Sequence, residues 1–201
     1  PQQSPVARLD VADREIHIDG RWDAQDLSAL PDLFTDNYSF LYALASDEFG
    51  RNSSTQRMFR KFPWRGGFSA VGFYRGLYDQ IPRQHQLAIR GINYRSPGEI
   101  TVSAASVIVD QIDAMSVAFN EQRRELQQLY RQLYEGMSTR QLLGRSLDEI
   151  DADPLDFEFV ERATRELTVA MRFTMIDQLW SLTGENWIAS AKLLMSFFRR
   201  I

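Results

Sequence analysis

At about Ala104 the spacing of apolar residues changes, and this limits the available folds more than any other feature of the chain. Before it, Leu87 to Tyr94 and Ile100 to Ser103 flank Ser96-Pro97-Gly98. Proline presets φ there and glycine supplies a positive φ, so the segment predicts a β-hairpin. After it, Val107, Ile108, Ile112, Met115, Phe119, Leu126, Leu129, Leu133 and Tyr134 recur at helical spacing. That period predicts one long helix from about Ala104 to Glu135. Its second half, Glu121 to Arg131, is rich in Gln, Arg and Glu, and is expected to project from the core or pair with another helix.

The rest of the chain repeats this grammar. Arg8 to Val11 and Glu15 to Ile18 alternate around Ala12-Asp13-Arg14, which predicts a first strand–turn–strand unit. Gly20 ends it, and Asp23 is placed to cap a helix carrying Leu27, Leu30, Phe34, Tyr38, Leu41 and Leu44, with a kink or split at Pro31. Residues 50–68 read as an irregular loop, followed by a short helix from Ser69 to Gln80. Gly136 is expected to stop the long helix, and Ser138 and Ser146 to cap short helical turns. Pro154 then opens a helix to about Leu182, Thr183-Gly184 breaks it, and a last helix carries Trp187 to Phe198. The expected class is α+β: a small antiparallel sheet of two hairpins covered by helices, with an all-helical C-terminal half. Residues 1–135 form the α+β part with its long terminal helix, and 136–201 a helical extension packed on it.

Charge is distributed unevenly along this order. Phe49 to Gly98 holds nine bases (Arg51, Arg57, Arg60, Lys61, Arg65, Arg75, Arg83, Arg90 and Arg95) against one acid, Asp79. The segment is therefore +8 in a chain of net −4, leaving −12 on the other 151 residues. Folding does not require such a split. It implies two opposed surface poles and favours an acidic partner, a phosphate-bearing ligand or the acidic parts of another copy.

Within the basic segment, Arg57 to Phe68 interleaves bases with aromatic residues. Exposed rings beside bases are what single-strand nucleic-acid binders use. The plainer account is that Phe62, Trp64 and Phe68 anchor the segment while the bases stay solvated. The candidate binding residues for a partner or a phosphate are Arg57, Arg60, Lys61, Trp64, Arg65 and Arg75, with Trp64 expected to be mostly buried and the bases exposed.

Catalytic chemistry finds little support. There is no cysteine, which excludes disulfides, thiolate metal sites and cysteine nucleophiles and fits a reducing cytoplasm. No Walker-type or dinucleotide glycine pattern is present, so no cofactor is expected. His17, between Ile16 and Ile18, reads as an edge-strand residue, and no metal site is expected. Ser96, His85 and Asp79 can be assembled into a triad on paper, yet no Gly-x-Ser-x-Gly elbow supports it. The acids Asp148, Glu149, Asp151, Asp153, Asp156 and Glu158 cluster about Pro154, as helix-start electrostatics demands.

The termini complete the picture. Pro1 to Pro5 has neither the positive start nor the apolar core of a signal peptide, and no window suits a membrane span. The amphipathic stretch 187–201 ends basic. Core packing or a subunit contact explains it better than a membrane surface. It stops without a helix cap, as a truncated chain would.

The run from Leu87 through Ser96-Pro97-Gly98 to Val102, entering a long helix, resembles a strand pair found in uncharacterised bacterial proteins. The resemblance covers about residues 87–120, implies a bacterial source and carries over no activity. The function expected from all of this is a non-enzymatic cytoplasmic module that self-associates or binds an acidic protein. Nucleic-acid or nucleotide binding is the alternative, and a hydrolase or nuclease without a legible motif comes last.

Overall fold

In the computed structural model, residues 9–18, 24–46, 49–50, 52–61, 70–93, 98–144 and 152–201 are described. The expected hairpin forms from β2 (Ala88–Asn93) and β3 (Gly98–Ala105), antiparallel, with Ile92 opposite Ile100 and Ile89 opposite Val102. A bulge between Ile89 and Gly91 sets Arg90 out of register and leaves both isoleucines on one face. The first hairpin does not form. Instead β1 (Val11–Ile18) runs straight through Ala12-Asp13-Arg14 and pairs with the far side of β3, giving the order β1-β3-β2. The pairing sets Ala12, Arg14 and Ile16 opposite Ala104, Val102 and Ile100. A distant strand can satisfy the whole β1 ladder, whereas a three-residue turn would leave two stubs.

Seven helices accompany this sheet among the described residues: α1 (Ala24–Ala45), α2 (Ser53–Lys61), α3 (Ala70–Tyr78), α4 (Ser106–Thr139), α5 (Pro154–Ala170), α6 (Ile176–Leu182) and α7 (Trp187–Phe198). The C-terminal half is all helical, so the α+β architecture stands. Helix α1 continues through Pro31. Its expected cap, Asp23, lies outside the described residues, as does Ser146. Helix α4 starts directly from β3 and buries Ile108, Val109, Ile112, Met115, Leu126, Leu133 and Met137, bending at Gln122, which leaves helical dihedrals. Its charged second half does not project: Leu126, Leu133 and Met137 are fully buried, and α4 packs along α5.

Helix α7 is the centre of the molecule, with every residue from Trp187 to Phe198 buried. A helix apolar all round, with only Ser190, Lys192 and Ser196 interrupting it, must be surrounded by protein. That answers the sequence ambiguity over 187–201 in favour of core packing. No helix of the described residues is long and apolar enough to cross a membrane.

The price of that centrality falls on Lys192, whose ammonium burial pulls down from 10.5 to about 8. Below about 8 the folded state carries the full cost of a charged, desolvated amine. The unfolded chain holds that proton up to its ordinary value, so stability rises with pH between the two. Wild type is therefore expected to gain on Lys192→Met as pH climbs from about 8 towards 10.5. Urea unfolding of both across that window checks it, and a constant difference would refute it.

Gly136 does not stop α4. It lies inside the helix, where a Cβ would meet Phe159 Cζ of α5 at 2.1 Å. The glycine is there to let a ring approach the α4 backbone. Arg140 covers the same ring at 4.0 Å and pairs with Asp156 at 3.0 Å. Gly136→Ala is expected to cost about 1–3 kcal/mol by overpacking, measured by chemical denaturation. Phe159→Leu in the same chain should recover part of the loss.

The long helix predicted from Pro154 to Leu182 is two helices. Arg172 adopts φ 56° just beyond α5, Phe173 N–H donates to Thr168 O and Arg172 N–H to Val169 O. This is a Schellman ending with arginine where glycine is usual. The side chain of buried Gln111 from α4 completes it, donating to Arg172 O at 2.8 Å and accepting from Thr174.

Candidate interaction surface

Helix α2 occupies part of the stretch expected to be an irregular loop. Asn52 Oδ1 accepts from Ser54 N–H at its start, so the polar run Asn52-Ser53-Ser54-Thr55 is a helix opening. The helix is amphipathic: Thr55 and Phe59 are buried, and Arg57 and Arg60 are exposed. Phe59 stacks on Phe40 at 5.9 Å and meets Phe73 edge-on at 5.2 Å. An exposed ring for base stacking is therefore not what Phe59 provides.

A polar clasp locks α2 to α3. Gly76 leaves room for Met58, whose Cε would lie 2.7 Å from a Cβ at that position. Gln80 Nε2 donates to Gly76 O at 2.9 Å, and Thr55 Oγ1 donates to Gln80 Oε1 at 3.2 Å. These contacts give Arg57 and Arg60 on α2 and Arg75 on α3 a rigid base, and all three are exposed. None of them makes an ion pair among the described residues. Arg60 lies along Gly184, the positive-φ residue (73°) that ends α6, within 3.4 Å of where a Cβ would stand. Of the other candidates, the side chain of Lys61 and all of Trp64 and Arg65 lie outside the described residues. So do Arg51 and Arg95.

Arg60 borders a cleft of about 450 Å³ between α1, α2 and α6, floored by Leu44 and Leu182 and rimmed by Gln56, Asp177 and Gln178. Across Gln178 lies a second cleft of about 570 Å³, carrying Asp10 and Asp110 beside Leu9, Val107 and Met175. Asp110 also pairs with Arg14 at 3.5 Å. Helix α6 thus stands between a cleft that holds Arg60 with Asp177 and one that holds Asp10 and Asp110. Sequence reasoning missed the part played by α6, because Asp177 and Gln178 sit in what reads as an uninterrupted helix.

Two of the residues weighed for chemistry, His85 and Asp153, have structural work. His85 Nδ1 is 2.6 Å from Tyr42 Oη, and its carbonyl accepts from Tyr38 Oη at 2.6 Å. Tyr38 Oη accepts in turn from Ala105 N–H at 3.1 Å, tying α1 to the β3–α4 junction, and burial pushes its pKa up to about 12. Ser96 and the side chain of His17 lie outside the described residues. Asp153 caps α5 through Asp156 N–H at 2.9 Å, as its position before Pro154 implies. Asp148, Glu149 and Asp151 are outside the described residues. No group of three or more His, Cys, Asp or Glu among the described residues is arranged to hold a metal.

No protein-family model, no curated protein and no solved structure matches this chain. The functional reading therefore rests on the residues themselves.

Proposed function

We propose that this protein is a non-enzymatic interaction module whose basic pole docks on an acidic protein surface, of another protein or of a second copy. The observation that carries the reading is Arg57, Arg60 and Arg75 standing exposed and unpaired among the described residues on two interlocked helices. Helices already locked together lose little backbone freedom on binding, and the field of the bases they carry accelerates encounter with an oppositely charged partner. Phe59, the one ring of the stretch from Arg57 to Phe68 among the described residues, is buried and offers no surface for base stacking. A cytoplasmic setting suits a chain without cysteine.

Fluorescence anisotropy with a labelled polyglutamate peptide and a labelled single-stranded DNA tests the proposal. Peptide binding that weakens steeply with salt and disappears in Arg57→Gln/Arg60→Gln/Arg75→Gln supports it. Binding untouched by that variant defeats it, and tighter binding of the DNA than the peptide would transfer the site to nucleic acid.

A further inference from the structure

The sheet ends in two open edges of different chemistry. Strand β3 lies at its centre, and the outer sides of β1 and β2 pair with no other strand of the described residues. The two edges stand level with each other: Arg14 and Ile89 both pair with Val102, and Ile16 and Ile92 both pair with Ile100. Paired residues share a face of the sheet, so these six lie on one side. Val102 and Ile100 are buried there, yet Ile89 and Ile92 are 47% and 60% exposed. The cover over β3 stops short of β2. The other face carries Asp13 and Glu15, both exposed, level with Ser103 and Thr101. Arg90, set out of register by the bulge, reaches over that same face, with its Nε 3.9 Å from Asp13 Oδ1.

We infer that β2 of one copy adds to β1 of the next, head to tail, so that the sheet continues from molecule to molecule. Strands β1 and β2 both run antiparallel to β3 and are therefore parallel to each other. A neighbour shifted sideways across the strands thus offers its β1 parallel to β2, with the two faces of the sheet preserved. In the level register Ile92 lies beside Ile16 of the next copy, and Arg90 lies between that copy's Asp13 and Glu15. Within its own sheet Arg90 is two strand spacings from those acids, roughly 10 Å between backbones, and across the joint it is one. Charge selects this joint because the two edges differ. Pairing β2 with β2 sets one basic edge on another, and pairing β1 with β1 sets Asp13 and Glu15 against the same acids. Turning the neighbour over makes the strands antiparallel, but it puts Ile89 and Ile92 on the face of Asp13 and Glu15. A bulge and a charge guard an edge strand against its like, and here the same charge directs it to the acidic edge.

These edges are separate from Arg57, Arg60 and Arg75, so the inference does not rest on the basic-pole reading and the two fail independently. A contact between unlike patches builds rings or filaments rather than a two-fold dimer. Sedimentation velocity over a concentration series is the measurement, and wild type is expected to grow beyond two copies as concentration rises. Ile92→Lys should abolish that growth, while its circular dichroism stays native because the side chain is exposed. Two charge variants sharpen the test: Arg90→Glu leaves a copy with two acidic edges, and Asp13→Lys/Glu15→Lys a copy with two basic ones. Each alone should be monomeric. An equimolar mixture should assemble, because every β2 then meets a β1 of opposite charge on the other variant. A wild type that stays monomeric at every concentration overturns the inference, as does a mixture that fails to assemble. A dimer that grows no further overturns it too, and assigns a two-fold contact instead. Growth that survives Ile92→Lys, or is lost only in Arg57→Gln/Arg60→Gln/Arg75→Gln, likewise overturns it, the latter leaving the basic pole as the contact.

Discussion

Phe40→Ala is expected to lower stability by about 3–5 kcal/mol, the range for removing a fully buried ring. Phe40 has no exposed surface and joins four rings from three other helices. Phe197 of α7 is 4.6 Å away and stacked, Phe59 of α2 is at 5.9 Å, and Phe73 and Tyr74 of α3 are at 6.5 and 6.1 Å. The loss therefore reaches beyond one transfer energy, because the cavity would open where α1, α2, α3 and α7 meet. Neighbours held on separate helices cannot collapse into it without moving those helices. Guanidinium unfolding gives the size of the effect. A cost below about 1.5 kcal/mol, the level of volume-conserving swaps, would show that the cluster repacks freely. The same substitution should weaken polyglutamate binding by loosening α2, even though Phe40 touches no partner.

Arg200→Met is expected to cost about 2–3 kcal/mol near neutral pH, the value of a charge-assisted hydrogen bond with its desolvated partner left behind. Arg200 Nε donates to Asp36 Oδ2 at 2.8 Å, the guanidinium lies 4.2 Å above the Tyr74 ring, and Arg200 O accepts from Asn37 at 3.0 Å. Burial raises the Asp36 pKa above its ordinary 3.8, and Arg200 only partly opposes that rise. Without the guanidinium the rise should grow. A carboxyl with a raised folded-state pKa makes the native state bind protons more tightly than the unfolded chain does. Stability then falls as pH increases from the ordinary carboxylate value through the raised one. The defect of Arg200→Met should accordingly shrink as the solution is acidified towards the carboxylate range. Urea titrations of variant and wild type at several pH values measure this. A defect independent of pH would assign the loss to the Tyr74 contact alone.

Much of this architecture follows from local chemistry. Ser96-Pro97-Gly98 between apolar runs leads to β2 and β3, and the spacing from Val107 to Tyr134 leads to α4. Thr183-Gly184 ends α6 with glycine at φ 73°, because that conformation costs glycine nothing. Asp153-Pro154 opens α5 with a cap and a preset φ. The charge split was also legible, since a base count needs no coordinates, and Arg57, Arg60 and Arg75 are exposed as expected.

Other features were decided by contacts distant in sequence. Helix α5 ends at Ala170 although the apolar period runs on through Met171 and Ile176, and no glycine marks the stop. Arg172 takes the left-handed position because Gln111, 61 residues away, satisfies the carbonyl it exposes, and Glu121 pairs with its guanidinium at 2.6 Å. Gly136 reads as a helix stop, but its physical role is set by Phe159 approaching from another helix. Strand β1 found β3 rather than itself, because Ile100 and Val102 offer it a longer apolar ladder than Ala12-Asp13-Arg14 offers a turn. Local propensity acts within a few residues, so it can name elements and their ends only where a proline, glycine or cap marks them. Where an end or a pairing depends on a distant polar group or a ring needing space, the tertiary structure chooses. The open face of α5 belongs to both: its residues are written in 155–169, and the packing of the opposite face left Leu155 and Val169 exposed.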